Sequence, residues 1–171
     1  MMSDTTTEAE LANPAGKYLT FVVAGESFGI PILKVREIVR LTAIDMVPQM
    51  PDYISGVINL RGTIIPVVDL RVRLGSTERK DTKETCIVVV RVQSPEGKSA
   101  QTGLIVDGVE EVVNIAATDI EETPDFGGDF SSEYVVGMAK IKGAINTLLD
   151  IGRVLAGDTT QFGNHPIRPY P

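Results

Sequence analysis

Residues Tyr53–Leu70 read YISGVINLRGTIIPVVDL, and residues Tyr134–Ile151 read YVVGMAKIKGAINTLLDI. Laid over each other without a gap, they match Tyr53 to Tyr134, Gly56 to Gly137, Gly62 to Gly143, Ile64 to Ile145 and Asp69 to Asp150. Arg61 answers to Lys142, and apolar positions mostly meet apolar positions. Upstream, Gly29–Val39 lies over Gly103–Val113, which sets Val35 on Val109 and Glu37 on Glu111. The chain therefore contains an internal duplication. A unit of about 70–80 residues is longer than a solenoid repeat and is the size of a small barrel.

The texture within both copies is that of short strands. Val/Ile-rich runs such as Gly56–Leu60, Ile64–Leu70, Cys86–Val92, Val136–Ile141 and Ala144–Asp150 are broken by Gly, Pro and Asp. β-Branched residues lose little when held extended and pack well on a pleated surface. Many short strands at close spacing point to barrels or sandwiches and away from βαβ units. The expected fold is mainly β: two similar small β-subdomains, each closing its sheet to remove its edges. Each core would be thin, so the two are expected to pack together through a hydrophobic interface, with few short helices.

Local chemistry fills in the joints. Arg61-Gly62 and Lys142-Gly143 fall at equivalent hairpin turns, where glycine supplies a positive φ. Pro66 lacks an N–H and is expected at a strand edge or a bulge. Asp69 and Asp150 each precede a short run that reads as a capped helical turn, with Gly75 and Gly157 placed to stop it. Residues 32–40 fit either a helix, through Ile32, Val35 and Val39, or a strand, through Val35, Glu37 and Val39.

The ordered body is expected over 17–156, with repeat cores near 29–80 and 101–152. Residues 1–16 are small and polar and read as a flexible lead-in; 157–171 are Pro- and Gly-rich and read as an irregular tail.

The chain has 171 residues and a formal charge of −7, with 43% hydrophobic and 23% charged residues. This is globular composition, and its acidity disfavours a general nucleic-acid binder. One cysteine permits no intrachain disulfide. No apolar run is long enough to span a bilayer, and the N-terminus lacks a signal-peptide pattern, so a cytoplasmic protein is expected. The charge is unevenly spread: 29–80 holds eight basic and five acidic residues, whereas 101–171 holds four and eleven. If the two halves are separate subdomains, the molecule is electrically two-ended and suited to head-to-tail contact; the alternative is scattered surface charge that simply keeps it soluble.

Catalytic signatures fail. Gly97-Lys98-Ser99 resembles the end of a phosphate loop, but Val92 stands where the first glycine belongs. GxGxxG, HExxH and GxSxG are missing. The single histidine, His165, lies in the tail, and Cys86 opens a Val-rich run as a small core hydrophobe would. Asp119, Glu121, Glu122 and Asp125 lack the spacing of a calcium loop. No catalysis, cofactor or metal is expected.

Gly29–Ile38, then Pro51–Arg71 with its core Gly56–Leu70, Gly103–Val109 and Ser132–Gly137, closely resemble the CheW family of bacterial chemotaxis coupling proteins. The resemblance covers about 17–156. It implies two SH3-like β-barrels in hydrophobic contact and a non-catalytic scaffold or adaptor. Its implied partners are the cytoplasmic tip of transmembrane chemoreceptors and the regulatory domain of the histidine kinase CheA. Alternation with the kinase in rings is also implied, with a free monomer recruited to the inner membrane face through receptors. Residue by residue, Val35, Glu37, Arg61 and Gly62 fall where the family contacts partners, and Gly56 and Val112 match further sensitive positions. Other roles stand beside these: Val35 and Val112 as core, Gly56 and Gly62 as backbone geometry, and Glu37 as a partner for Lys34 or Arg40. A CheW-type adaptor of a non-flagellar chemosensory pathway, or a small-ligand-binding β-barrel, are the alternatives.

Overall fold

The Val/Ile-rich runs are strands. A computed structural model describes residues 15–76, 78–93, 97–122 and 133–155. In chain order these form β1 (Gly16–Val23), β2 (Glu26–Pro31), β3 (Val35–Arg40), β4 (Ile54–Leu60), β5 (Thr63–Asp69), the single-turn helix α1 (Leu70–Arg73), β6 (Cys86–Gln93), β7 (Ser99–Val106), β8 (Gly108–Ile115), β9 (Ile120–Glu121), β10 (Val135–Ile141) and β11 (Ala144–Leu149). Residues 151–155 form a second helical turn. The open question over 32–40 resolves into both: a 3-10 turn at Ile32–Lys34, then strand β3 with alternating half-buried and exposed residues. The expectations for residues 1–14 and 157–171, and those placed on Asp125 and His165, lie outside the described residues. Among the described residues no helix is long and apolar enough to cross a membrane.

The strands make two sheets, in the orders β3-β6-β7-β5-β4 and β8-β1-β2-β11-β10-β9. The duplication maps one onto the other: β3 on β8, β4 on β10, β5 on β11, β6 on β1 and β7 on β2. Each sheet has one parallel joint, and the two joints are equivalent, Val67 facing Gly103 and Leu148 facing Gly29. The sheets thus exchange hairpins. Hairpin β1–β2, which precedes the first copy, completes the sheet of the second, and β6–β7 completes the sheet of the first. The first barrel is the continuous stretch 35–106; the second combines 16–31 with 108–149.

Three apolar clusters follow. Ile58, Ile65, Val67, Ile87, Val89 and Ile105 fill the first barrel. Tyr18, Ile115, Ala139 and Leu148 fill the second. The largest cluster draws on both, including Phe21, Ile30, Val68, Leu70, Val88, Leu104, Leu149, Ile151 and Val154. This shared core is the expected hydrophobic interface. Small barrels bury too little alone, so the interface carries much of the stability.

The joints behave as their residues require. Asp69 Oδ1 accepts from the Arg71 N–H at 3.1 Å, and Asp150 Oδ1 accepts from the Arg153 N–H at 3.1 Å. Asp69 does more than cap. It is buried and also receives the Arg71 side chain, Nε to Oδ1 and Nη2 to Oδ2, each at 2.9 Å. Arg71 further meets Asp81 at 3.0 Å and Asp107 at 3.2 Å, and these carboxylates hold its guanidinium more basic than usual. Pro66 lies in an inner strand, not at an edge. Its missing donor is tolerated because pairing of β5 with β7 begins one residue later, at Val67, beside the register shift opposite Gly56.

Candidate functional site

The β4–β5 turn has positive φ at both central residues, 51° at Arg61 and 91° at Gly62. This is the two-residue geometry that matches the right-handed strand twist. Lys142 (52°) and Gly143 (83°) repeat it in the β10–β11 turn. A left-handed conformation costs a side-chain-bearing residue about 1–2 kcal/mol, and Asn is the residue most often used there. Both turns nevertheless carry a long cation. The first is braced by Asn59, whose Oδ1 accepts from the Gly62 N–H at 2.8 Å.

Each cation reaches across its barrel to a carboxylate. Arg61 pairs with Glu37 on β3, which raises its pKa further. Lys142 Nζ lies 3.0 Å from Glu111 Oε1 on β8. β3 and β4 are opposite edges of their sheet, so this contact shows the sheet curling closed; Glu111–Lys142 does the same for the second. Glu37 therefore does not pair with Lys34 or Arg40. Residues three apart on a strand point to opposite faces, which removes Arg40, and Lys34 belongs to the preceding 3-10 turn.

Each barrel also exposes two large aliphatic residues at equivalent positions. Ile38 (44% exposed) and Ile64 (69%) belong to the first barrel, and their counterparts Val112 (50%) and Ile145 (60%) belong to the second. Exposed aliphatic side chains at equivalent positions of the two barrels mark two related surfaces.

Of the residues singled out from sequence, Glu37, Arg61 and Gly62 come together at one end of the first barrel. Val35 is half-buried against the shared core. Gly56 is buried, with φ of +143°, and a Cβ there would stand 2.1 Å from the Asp45 carbonyl oxygen. It makes room for the bridge between Asp45 and Val57, whose N–H groups each donate to the other's carbonyl at 2.9 Å. Val112 belongs to the other barrel and is half exposed, so it is not core. Ile38, Ile64, Ile145 and the Glu111–Lys142 pair were not singled out from sequence. The signal was present: the alignment that set Glu111 on Glu37 and Lys142 on Arg61 already paired them.

Hairpin exchange preserves the electrical asymmetry. Residues 35–106 carry ten basic and eight acidic side chains, whereas 15–34 with 107–155 carry five and eleven.

Residues 17–158 match the model of the CheW-like domain family. The chain belongs to the CheW family. It is 34% identical over 148 residues to the chemotaxis protein CheW of Rhizobium meliloti, covering 86% of this chain and 92% of that one. It is 32% identical to CheW of Klebsiella aerogenes, covering 83% and 82%, and 30% identical to protein FrzA of Myxococcus xanthus, covering 86% and 89%. Among solved structures it resembles the scaffolding protein TtCheW from Thermoanaerobacter tengcongensis, with a TM-score of 0.71, 34% identity and coverage of 82% and 92%. The fold inferred from the duplication is thus a CheW fold, and the twin ion-paired surfaces described above are features of a CheW-family chain.

Proposed function

We propose that this protein is a non-catalytic adaptor that couples transmembrane chemoreceptors to the histidine kinase CheA. The observation that carries the reading is the pair of equivalent surfaces: an exposed cation on a strained turn, its carboxylate partner and two exposed aliphatic side chains, once in each barrel. An apolar patch with a charged rim has the anatomy of a protein interface. Two such patches on one rigid body let a single molecule hold two partners at once. Membership of the CheW family, whose relatives are named chemotaxis and scaffolding proteins, supports the same conclusion. In this reading Arg61, Glu37 and Gly62 form a partner contact, Val112 lies in the contact of the second barrel, and Val35 and Gly56 act through packing and backbone.

The test is reconstitution. The protein, a CheA-type kinase and a receptor cytoplasmic fragment are assembled on vesicles, and kinase autophosphorylation is followed. Activation that requires all three components supports coupling. A folded protein that binds neither the kinase nor the receptor fragment overturns it.

A further inference from the structure

We propose that a cleft on the first barrel, between Arg36 and Arg91, is a docking site for an acidic segment of a protein partner. The proposal rests on the adaptor reading and adds the chemistry of one partner. The cleft measures about 470 Å³ and is lined by Arg36, Arg91, Ile64, Pro66, Ser99 and Gln101 among others. Both guanidiniums are exposed, and neither has a hydrogen-bond or ion-pair partner among the described residues. Arg61 is engaged by Glu37, Arg71 by three aspartates and Arg153 by Asp150, whereas Arg36 and Arg91 share one cleft without such a partner among the described residues. Two like charges lining one cleft of a net acidic protein repel unless an anion joins them.

Backbone geometry aims the first of these charges. The β3–β6 register shifts between Val35 and Glu37, so Arg36 is the unpaired residue of a β-bulge. Bulges re-aim a side chain relative to the regular pleat. The second barrel has the equivalent bulge: the β1–β8 register passes from Glu111 to Val109 and skips Glu110. Arg36 and Glu110 are counterparts in the duplication. The counterpart of Arg91 is Val22, and that of Ala100 is Glu26, while Ile64 and Ile145 are the same residue. One scaffold position, with the same aliphatic neighbour, is thus cationic in one barrel and anionic in the other. The two faces cannot take the same occupant, because like-charge juxtaposition rejects the wrong partner.

The floor selects the kind of anion. Ile64 and Pro66 present apolar surface beside the arginines, and Thr63, Ser99 and Gln101 add donors. Arginine pairs carboxylates through two parallel N–H groups. An extended segment alternating carboxylate and aliphatic side chains matches both features at once.

The probe is a fluorescein-labelled peptide of alternating glutamate and isoleucine, titrated into the full chain by anisotropy and mapped by amide chemical shifts. Saturable binding, with shifts confined to residues 36, 63–65, 91 and 99–101, is expected. Arg36→Gln with Arg91→Gln should weaken it at least tenfold, and Arg36→Glu with Arg91→Glu should abolish it, both variants keeping the wild-type circular dichroism. Binding unchanged in these variants, or shifts elsewhere, overturns the proposal. So does inorganic phosphate that competes at the peptide's own concentration, which marks a small-anion site, or arginine-dependent self-association, which marks a second copy as occupant. If the peptide fails while reconstituted kinase activation is normal, this inference falls and the adaptor reading stands. If the peptide binds as described while reconstitution fails, the reverse holds.

Discussion

The Nε of Arg73 donates to the carbonyl oxygen of Val154 at 2.9 Å, and these two residues are counterparts in the duplication. The same guanidinium lies 5.0 Å from the ring centroid of Tyr53 and 4.8 Å from that of Tyr134, another equivalent pair. One side chain therefore marks the axis relating the barrels and ties both to it. Replacing Arg73 with Ala removes two cation–π contacts and a charged hydrogen bond, which together contribute about 2–4 kcal/mol. Urea unfolding should show a loss of that order. A variant as stable as wild type would mean that the shared apolar core holds the barrels without this tie.

A second arginine has a different dependence. Arg71 is 3% exposed among Asp69, Asp81 and Asp107. Removing the cation leaves buried carboxylate uncompensated, and breaking such a group costs about 3–5 kcal/mol. Arg71→Ala should be among the most destabilising single changes in the chain, measured by thermal melting. Arg71→Lys should recover only part of the loss, because a point charge cannot reproduce the paired contact to both oxygens of Asp69.

The two glycines of the first barrel separate geometry from contact. Gly56→Ala forces a Cβ to 2.1 Å from the Asp45 carbonyl oxygen at a φ of +143°. It should cost more than about 3 kcal/mol and lower the melting temperature sharply. At Gly62 a Cβ meets nothing within 4 Å, so Ala costs only the left-handed conformation, about 1 kcal/mol. If Gly62→Ala stays folded and loses partner binding, the turn conformation itself serves the interface.

Arg61→Asp should keep the fold, since the side chain is exposed, and weaken partner binding on the order of tenfold. The swap Glu37→Arg with Arg61→Glu rebuilds the pair with reversed polarity. Binding restored by the swap would show that the pair acts by holding the turn; binding still lost would show that the cation meets the partner.

Burial pushes the Tyr18 phenol up to about 12 from its ordinary value near 10. A folded pKa raised above the unfolded one stabilises below the unfolded value and is lost as pH rises through the folded one. Stability should therefore fall between about pH 10 and 12, by about 2 kcal/mol from this group. Tyr18→Phe should flatten that part of the pH profile in urea unfolding. An unchanged slope would assign the alkaline loss to other groups.

Much of this was legible because it is local or repeated. Strand runs, the Arg61-Gly62 and Lys142-Gly143 turns and the Asp69 and Asp150 caps each follow from a few neighbouring residues. What failed was non-local. Lys34 and Arg40 are near Glu37 in sequence, yet the strand alternation of β3 and the closing of the barrel give it Arg61. The duplication also disguised its own pairing. Two nearly equivalent hairpins fit two nearly equivalent sheets, and no residue of β1–β2 states which sheet it completes. Of the two settings expected for Pro66, an edge or a bulge, the structure gives a place beside the bulge in an inner strand, and the choice was not legible because the start of the β5–β7 ladder is a property of register and not of composition.

The exchange of hairpins governs the order in which the chain can be completed during synthesis. The first barrel is finished once Val106 has emerged. Hairpin β1–β2, made before it, has no sheet to join until β8–β11 exist, the last ending at Leu149. An isolated hairpin is marginal in water, and this one holds Tyr18, Leu19, Phe21 and Ile30, all fully covered in the finished molecule. The nascent chain thus carries hairpin β1–β2 without its own sheet until Leu149 is made, with only the first barrel's side of the shared core to cover Phe21 and Ile30, and no single cut between Val35 and Leu149 leaves both barrels whole.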